Sequence, residues 1–509
     1  MSAEAEVVGP RRYGHLRRPR GAGLFGFSGA STYIGLGGLL LTMLAMMAAQ
    51  MAGVPGLPVA AAFALVTVVA VVPTRRSRRT GLTGYDRMIA WVLNRTQTDV
   101  AAGYQGPVGF VPDGKCRLPG FAAGSKLFTG RNAYGEHFGV VVQPIGKKQH
   151  YSVVLEGAAT GTELVDAETI DQQVAHWGGM LAMLGQHRDV VGASVIVETA
   201  PDPGVRLRAE VEGSRAENGP QWAQQVMDEI VSSYPSSQSI ITTRVAITLT
   251  DEDRSMGRVQ HRSQAEMHTR LANLLPALVA SARAGGAGPS CRAMAAQDII
   301  DAVRVAFDPA VAEDVEAARR EPEGTGLTWE TAGPVRWVPA DNHVHHDRAW
   351  SVTYQMIEPP TTFFAATLEP LLRPNSEIMR KRVALMYRPL GPFEAPKAVD
   401  RDVNAAKSEA SKKNASARAE REYQIAQQVS REEAQGAGLS VFGIAVTATT
   451  DDRSQLERVE SAVAQLAAPA RLRMRPALGN QAAAFLSTLP IGVVLPAQMA
   501  LPVEIHDQF

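Results

Sequence analysis

The sequence predicts an α+β protein: a two-helix transmembrane hairpin, then two cytoplasmic α+β domains with mainly antiparallel sheets. Three observations lead there. Gly21 to Thr74 carries no charged residue. Beyond it, β-branched runs alternate with amphipathic helical patterns in a β-β-α-β-α-β-α order. Finally, one stretch near the C-terminus is dense in Ala, Lys, Arg, Glu and Gln and free of Gly and Pro.

The charge-free stretch has room for two helices of roughly 20 residues, the length that crosses a bilayer. Gly53, Pro55, Gly56 and Pro58 interrupt it and predict a turn. The helices are expected over about Tyr33–Ala52 and about Leu57–Val72. The second is short and needs tilt or local bilayer thinning. Gly35, Gly37 and Gly38 permit close helix packing without forming a strict G-x-x-x-G. Arg11, Arg12, Arg17, Arg18 and Arg20 precede the hairpin, and Arg75, Arg76, Arg78 and Arg79 follow it. Basic flanks stay cytoplasmic, so both termini are expected there, in a multi-pass protein of the cell (inner or plasma) membrane.

The domain expectation is residues 1–80 for the basic arm and hairpin and 81–125 for a juxtamembrane segment and linker. Residues 126–290 would form the first cytoplasmic α+β domain, and 291–509 the second. Tyr85, Met88, Ile89 and Val92 recur at helical spacing beside Trp91, which fits either a membrane-surface helix or one packed on the first domain. Gly- and Pro-rich turns fill Gly103–Gly124. Phe138–Ile145 and Tyr151–Glu156 read as a hairpin, Asp166–Gln186 as a helix, Val190–Thr199 as a strand and Gln221–Tyr234 as a helix. Ser239–Leu249 is a strand. Gln264–Arg283 is a helix kinked at Pro276 and ended by Gly285 and Gly286.

In the second block Ala296–Phe307 reads as a helix, Arg319–Gly333 as a loop, Ala349–Ile357 as a strand and Phe363–Leu372 as a short helix. Val383–Tyr387 is a strand. Lys397–Gln435 is expected as one long helix whose part Ala405–Glu422 is too small and charged to bury a wide face, so it offers itself to solvent or a partner. Leu439–Thr449 and Leu472–Met474 are strands; Ser454–Ala467 and Gln481–Leu489 are helices. The two blocks are of related type, with no internal repeat that aligns residue by residue.

Composition narrows the function classes. Basic and acidic side chains number 51 each, so the balance is neutral and no direct nucleic-acid site is expected. The two cysteines, Cys116 and Cys291, form no Cys-x-x-Cys, which excludes a zinc ribbon and fits a reducing compartment.

Catalytic motifs are thin. Asp341-Asn-His343-Val-His345-His346-Asp347 groups histidine and carboxylate as metal sites do, but no further ligand stands at helical spacing, and a polar turn entering a strand accounts for it. Glu266 and His268 share a helix, as a solvated face does. Gly109 to Cys116 nearly spells a phosphate loop, with Cys116 where the magnesium-binding hydroxyl belongs, and Pro112 and Pro119 deny it the following helix. Gly21-Ala-Gly23-Leu-Phe-Gly26 lacks the strand a dinucleotide site requires. No catalytic residue, metal or cofactor is expected, and the protein is read as a non-enzyme.

Several segments resemble a family of actinobacterial membrane proteins linked to conjugation and type IV secretion-like gene clusters. They are Arg12-Tyr13-Gly14 with Arg18-Pro19-Arg20, Gly114-Lys-Cys-Arg-Leu-Pro-Gly120, Tyr134-Gly135 and the run Val191 to Gly204. The hairpin resembles PrgI-type subunits of conjugation channels. The second half resembles the amino-terminal region of TraC-type conjugation ATPases: a long Ala/Glu/Arg helix, a strand, a helix led by Asp451-Asp452-Arg453, then Gln481 to Phe485 and Leu489-Pro490. Those ATPases continue into a nucleotide-binding domain with a phosphate loop, which does not follow here. The resemblance implies a structural inner-membrane component, homo-oligomeric, anchored in membrane lipid and docking a separate conjugation-type ATPase beside other secretion-system subunits. An EccE-like membrane subunit of a type VII secretion system is the second expectation, and a membrane-bound enzyme or sensor the third.

Overall fold

The computed structural model describes residues 29–53, 55–74, 88 and 116–498, apart from 159–164, 203, 217–218, 234–238, 254–258, 359–365, 413–414 and 437. The basic arms, the glycine run at 21–26, all but Met88 of the helix expected around Tyr85 and most of the near phosphate loop lie outside the described residues. The chain forms two compact units, one built on the hairpin and one, within residues 101–494, built on a sheet.

The hairpin unit contains α1 (Gly29–Met51) and α2 (Gly56–Val71), close to the expected bounds. Gly53 turns the chain at φ +71°, a conformation glycine adopts without strain, and Pro55 leads into α2. The two helices pack tightly at Gly38, where an added Cβ would fall 2.2 Å from Thr67 Cγ2. Thr42 and Thr67 donate their hydroxyls to the carbonyls of Gly38 and Phe63 at 2.7 and 2.9 Å, so neither needs an outside partner. Large apolar side chains point outward along both helices, from Leu36 through Met51 at 89% exposure to Leu57 at 82%. Among the described residues no helix is long and apolar enough to cross a membrane. The sixteen residues of α2 rise only about 24 Å.

The second unit is α+β with a mostly antiparallel sheet. β1 (Lys126–Arg131), β2 (His137–Ile145) and β3 (Lys148–Gly157) form a meander, with Gly146 at φ +61° in the β2–β3 turn. Next come α3 (Ala167–Gln186), β4 (Val190–Pro201), α4 (Val205–Gly213), α5 (Gln221–Ser233) and β5 (Ser239–Thr250). The short pair β6 (Glu252–Asp253) and β7 (Gln260–His261) precedes α6 (Gln264–Ala282), β8 (Arg292–Ala293) and α7 (Ala296–Phe307). Ser263 caps α6 by a capping box with Glu266, and Pro276 sits inside the helix without ending it. After α8 (Ala312–Ala318) the chain makes β9 (Trp337–Pro339), β10 (Val344–His346), β11 (Ala349–Glu358), α9 (Glu369–Leu372) and β12 (Arg380–Pro389). It ends with α10 (Ala395–Ala410), α11 (Ala417–Ala434), β13 (Ser440–Thr450), α12 (Leu456–Ala467), β14 (Arg473–Pro476) and α13 (Gln481–Ser487).

The helix expected unbroken over Lys397–Gln435 is instead two helices packed on each other. The chain breaks in the polar stretch after Ser411, and Ser416 caps α11 by accepting from the Ala419 amide at 3.2 Å. A serine hydroxyl competes for the backbone and so favours a cap over a helix interior.

Both expected cytoplasmic domains contribute to one sheet. Its order is β1-β2-β3-β5-β4-β12-β13-β11-β10-β9, with β8 added on β3 and β14 on β11. The order reads the same from either end, about the antiparallel β4–β12 pair. The elements also succeed each other alike. Each half has three strands, a helix, a strand, two helices, a strand, a helix, a short strand and a helix, with β6–β7 added in the first. The unit is therefore an internal duplication. Gln221-Trp-Ala-Gln-Gln-Val226 on α5 matches Gln424-Ile-Ala-Gln-Gln-Val429 on α11. Ser152 and Thr248 share a hydroxyl contact of 2.9 Å across β3–β5, and Thr353 and Thr447 share one of 2.9 Å across β11–β13.

The sheet is covered on both faces. On one, α3 and α6 pack Leu184, Leu271, Leu275 and Leu278 against Val153, Leu155, Ile247 and Leu249. In the second half α12 does the same with Val459 and Val463 against Val383 and Val446. Each such aliphatic side chain stabilises the fold by about 1.5–3 kcal/mol. Because side chains alternate along a strand, Ser152, Thr248, Thr353 and Thr447 fall on the opposite face, under α7, α13 and residues 489–494. Gly139 lets α7 approach there: a Cβ would lie 2.7 Å from Ile299 Cδ1 and 3.0 Å from Ala296 Cα.

Candidate functional site

The histidine segment lies in the β10–β11 hairpin. Asp347 holds the turn at φ +43°, and its carboxylate accepts from the Arg336 amide at 2.8 Å and from Arg304 at 2.8 Å. His345 and His346 are adjacent on a strand and so point to opposite faces. His345 stacks on Trp350 with ring centroids 4.3 Å apart. His343 is bonded to Asn342 at 2.8 Å. His346 is fully buried; its Nδ1–H donates to the Phe307 carbonyl, leaving Nε2 to accept from the Ser351 hydroxyl at 2.7 Å. Burial pushes His346 down to about 3, assisted by Arg382 and His345. The three imidazoles serve three local contacts, and no group of three metal-ligating side chains occurs among the described residues. Glu266 is occupied in the α6 cap, and His268 lies edge-on to Phe128. Cys116 and Cys291 are both buried.

His346 belongs to a polar layer on the second face of the sheet. Ser351 continues to Thr449 at 2.7 Å, and Gln481 of α13 both receives the Thr353 amide and donates to its carbonyl, at 2.8 and 3.1 Å. Gln143 donates to the Ile491 carbonyl at 2.9 Å, and Thr248 to that of Gly492 at 2.8 Å. The backbone after α13 is thus held by side chains from the strands, satisfying carbonyls that would otherwise be buried without a donor.

Where β3, β4, β5 and β12 run side by side, the layer turns ionic. Glu198 accepts from Arg244 at 2.7 Å and from Arg380 at 2.8 Å, with Arg382 at 3.8 Å; Arg244 also donates to Glu156 at 2.8 Å. Burial alone would raise the Glu198 carboxyl, but Arg380, Arg244 and Arg382 overcome it and hold it at about 2. Arg382 is 1% exposed and lies over the Phe485 ring at 4.8 Å. Its Nη1 and Nη2 have no hydrogen-bond partner, and burial together with the neighbouring arginines brings it down to about 10. Burial likewise lowers Lys381 to about 8.

A cleft of about 130 Å³ opens beside this cluster, between the ends of β4 and β5 and the helices α7 and α8. Glu156, Glu198, Asp202, Asp298, Asp301 and Glu316 line it, against three guanidiniums, Arg244, Arg319 and Arg380. Arg319 pairs with Asp298 and, at 3.4 Å, with Asp301; Arg292 pairs with Asp298 at 2.8 Å. No histidine, cysteine or serine is among the lining residues, and Thr242 supplies the hydroxyl there; charge dominates the lining. The sequence motifs did not point to the cleft, because its charges are scattered over β3, β4, β5, α7, α8, β12 and the residues just after β4 and α8, one or two from each. The one available signal was charge inside strand patterns: Glu198, Arg244, Arg380 and Arg382.

No protein-family model matches the chain, and no curated protein does.

Proposed function

We propose that the protein is a non-catalytic membrane component of a type IV secretion-like, conjugative transfer system, and that its sheet unit docks a separate ATPase at the cytoplasmic face. The observation that carries this reading is the uncharged hairpin with large apolar side chains outward along both helices. Each exposed leucine gains about 1.5–3 kcal/mol on leaving water for hydrocarbon. The Thr42 and Thr67 hydroxyls are bonded to their own helix backbone, which suits lipid. The 23 residues of α1 rise about 35 Å, so the anchor proposed is the hairpin as a pair of apolar helices and not either helix as a span by itself. α2, at about 24 Å, would be met by local bilayer thinning. Arginine clusters on both flanks favour cytoplasmic termini. The resemblance to PrgI-type subunits and to the amino-terminal region of TraC-type ATPases supplies the kind of machine, and the α10–α11 helical pair supplies a surface with no fully buried residue on α11.

The test is affinity purification of the detergent-solubilised protein from carbonate-washed membranes of its native cells, with mass spectrometry of what accompanies it. Recovery in the membrane fraction with a phosphate-loop ATPase of the conjugation type is expected. Recovery with type VII secretion subunits would replace the assignment by an EccE-like role. Release of the protein by carbonate would end the anchor reading.

A further inference from the structure

We propose that the cleft beside α7 and α8 takes a lysine or arginine side chain of a partner protein. One lining carboxylate is buried without a complete set of hydrogen-bond donors. Asp301 is 2% exposed; its Oδ1 accepts from Gln297 at 2.9 Å and Thr325 at 2.8 Å, which fixes the carboxylate. Its Oδ2 accepts no hydrogen bond, the one cation near it being Arg319 at 3.4 Å. A buried carboxylate oxygen without a donor is costly, so one lining a cleft marks where a ligand's donor belongs.

The sign of the ligand follows from the six lining carboxylates against three guanidiniums. An anion would meet the carboxylates of Asp301, Asp298 and Glu316. A metal ion would need a ligand set that the described residues do not hold. An ammonium or guanidinium on an aliphatic stem suits the remaining surface, since Ile240, Val305 and Val315 form an apolar wall along which methylenes pack while the head reaches the carboxylates. About 130 Å³ accommodates one such side chain, so the rest of the ligand stays outside. The second repeat ends its matching elements at α13 and has no counterpart of α8 among the described residues, so the cleft is particular to the first repeat. Who the partner is rests on the docking role proposed above; the charge selectivity of the cleft does not.

The test uses the full-length protein in detergent, titrated with N-acetyl-arginine amide and with N-acetyl-citrulline amide, its neutral isostere, by saturation-transfer NMR. Saturable arginine binding at least tenfold tighter than citrulline, weakening as salt rises, is expected. Asp301→Asn should abolish it, Glu316→Gln should weaken it severalfold, and Ala312→Trp should block it from the α8 side. Glu316 is only half-buried, so its variant keeps the test valid if Asp301→Asn does not fold. Equal binding of citrulline, no binding of either probe, or full binding by Glu316→Gln and Ala312→Trp would overturn the proposal. Arginine binding in a protein that recovers no secretion partner would leave the cleft standing and remove the docking role; the reverse result would do the opposite.

Discussion

Acid should weaken the sheet unit through two buried histidines well before it reaches the carboxylates. Burial holds His346 at about 3, and burial with the nearby Lys148 holds His150 at about 4, against 6.5 in the unfolded chain. Both folded values are depressed, so the folded state binds fewer protons below pH 6.5. Their stabilising contribution is complete above the unfolded value and declines as pH falls through it, until the folded values are reached. Between pH 7.5 and 5 each unfolded imidazole gains most of a proton while its folded counterpart stays neutral, a loss of about 2 kcal/mol per histidine and about 4 kcal/mol for the pair. Trp337 reports on this region, with its ring centroid 6.5 Å from His346 and 5.7 Å from Phe307. Guanidinium unfolding followed by tryptophan fluorescence at the two pH values should show the loss in the wild type. About half of it should disappear in His346→Asn. A wild-type midpoint that does not move between these pH values, or a variant that loses as much as the wild type, would refute the assignment of neutral buried imidazoles.

Gly38→Val should force α1 and α2 apart at Thr67 and destabilise their packing by about 1–3 kcal/mol, read as a lower midpoint of thermal aggregation in detergent. Glu198→Gln leaves Arg244, Arg380 and Arg382 without their shared anion and should cost about 3–5 kcal/mol, with Arg382→Met in the same chain restoring part of it. The wild-type Glu198 contribution is present above the ordinary carboxylate value of 4.5 and lost as pH falls toward 2, so Glu198→Gln should flatten stability against pH in that window. Since Cys116 and Cys291 are buried, single introduced thiols report topology cleanly. Ala52→Cys at the hairpin turn should react with an impermeant maleimide on intact cells, and Ser411→Cys only after lysis; the opposite pattern would invert the orientation.

The periodic elements were legible in the sequence: both hairpin helices, the strands around Val195, Ile247 and Val446, and the helices with apolar residues three and four apart. What escaped detection has physical reasons. β1 is an edge strand of mixed polarity, so no alternation announces it. α4 follows directly on a Pro/Gly turn with charged residues throughout. The break after Ser411 depends on capping, which competes closely with helix continuation. The duplication stayed hidden because matching positions share size and polarity more than identity: Ser152 stands for Thr353, and Trp222 for Ile425. The ionic cluster was invisible because Glu198, Arg244, Arg380 and Asp301 are far apart in the chain, and the first three meet only through the β4–β5 pairing together with the β4–β12 seam.

That seam carries a consequence of its own. Two separate copies of the half-unit meeting along β4 would have to be identical, so every surface would occur twice and the assembly could have no direction. Fusing them in one chain frees each half to change alone. The first has gained α8 and a carboxylate-lined cleft, while the second has lengthened its inserted helices into the α10–α11 pair. The result is one body with two unlike ends, able to hold different neighbours on left and right and so to give a sense of order to a row or ring of subunits.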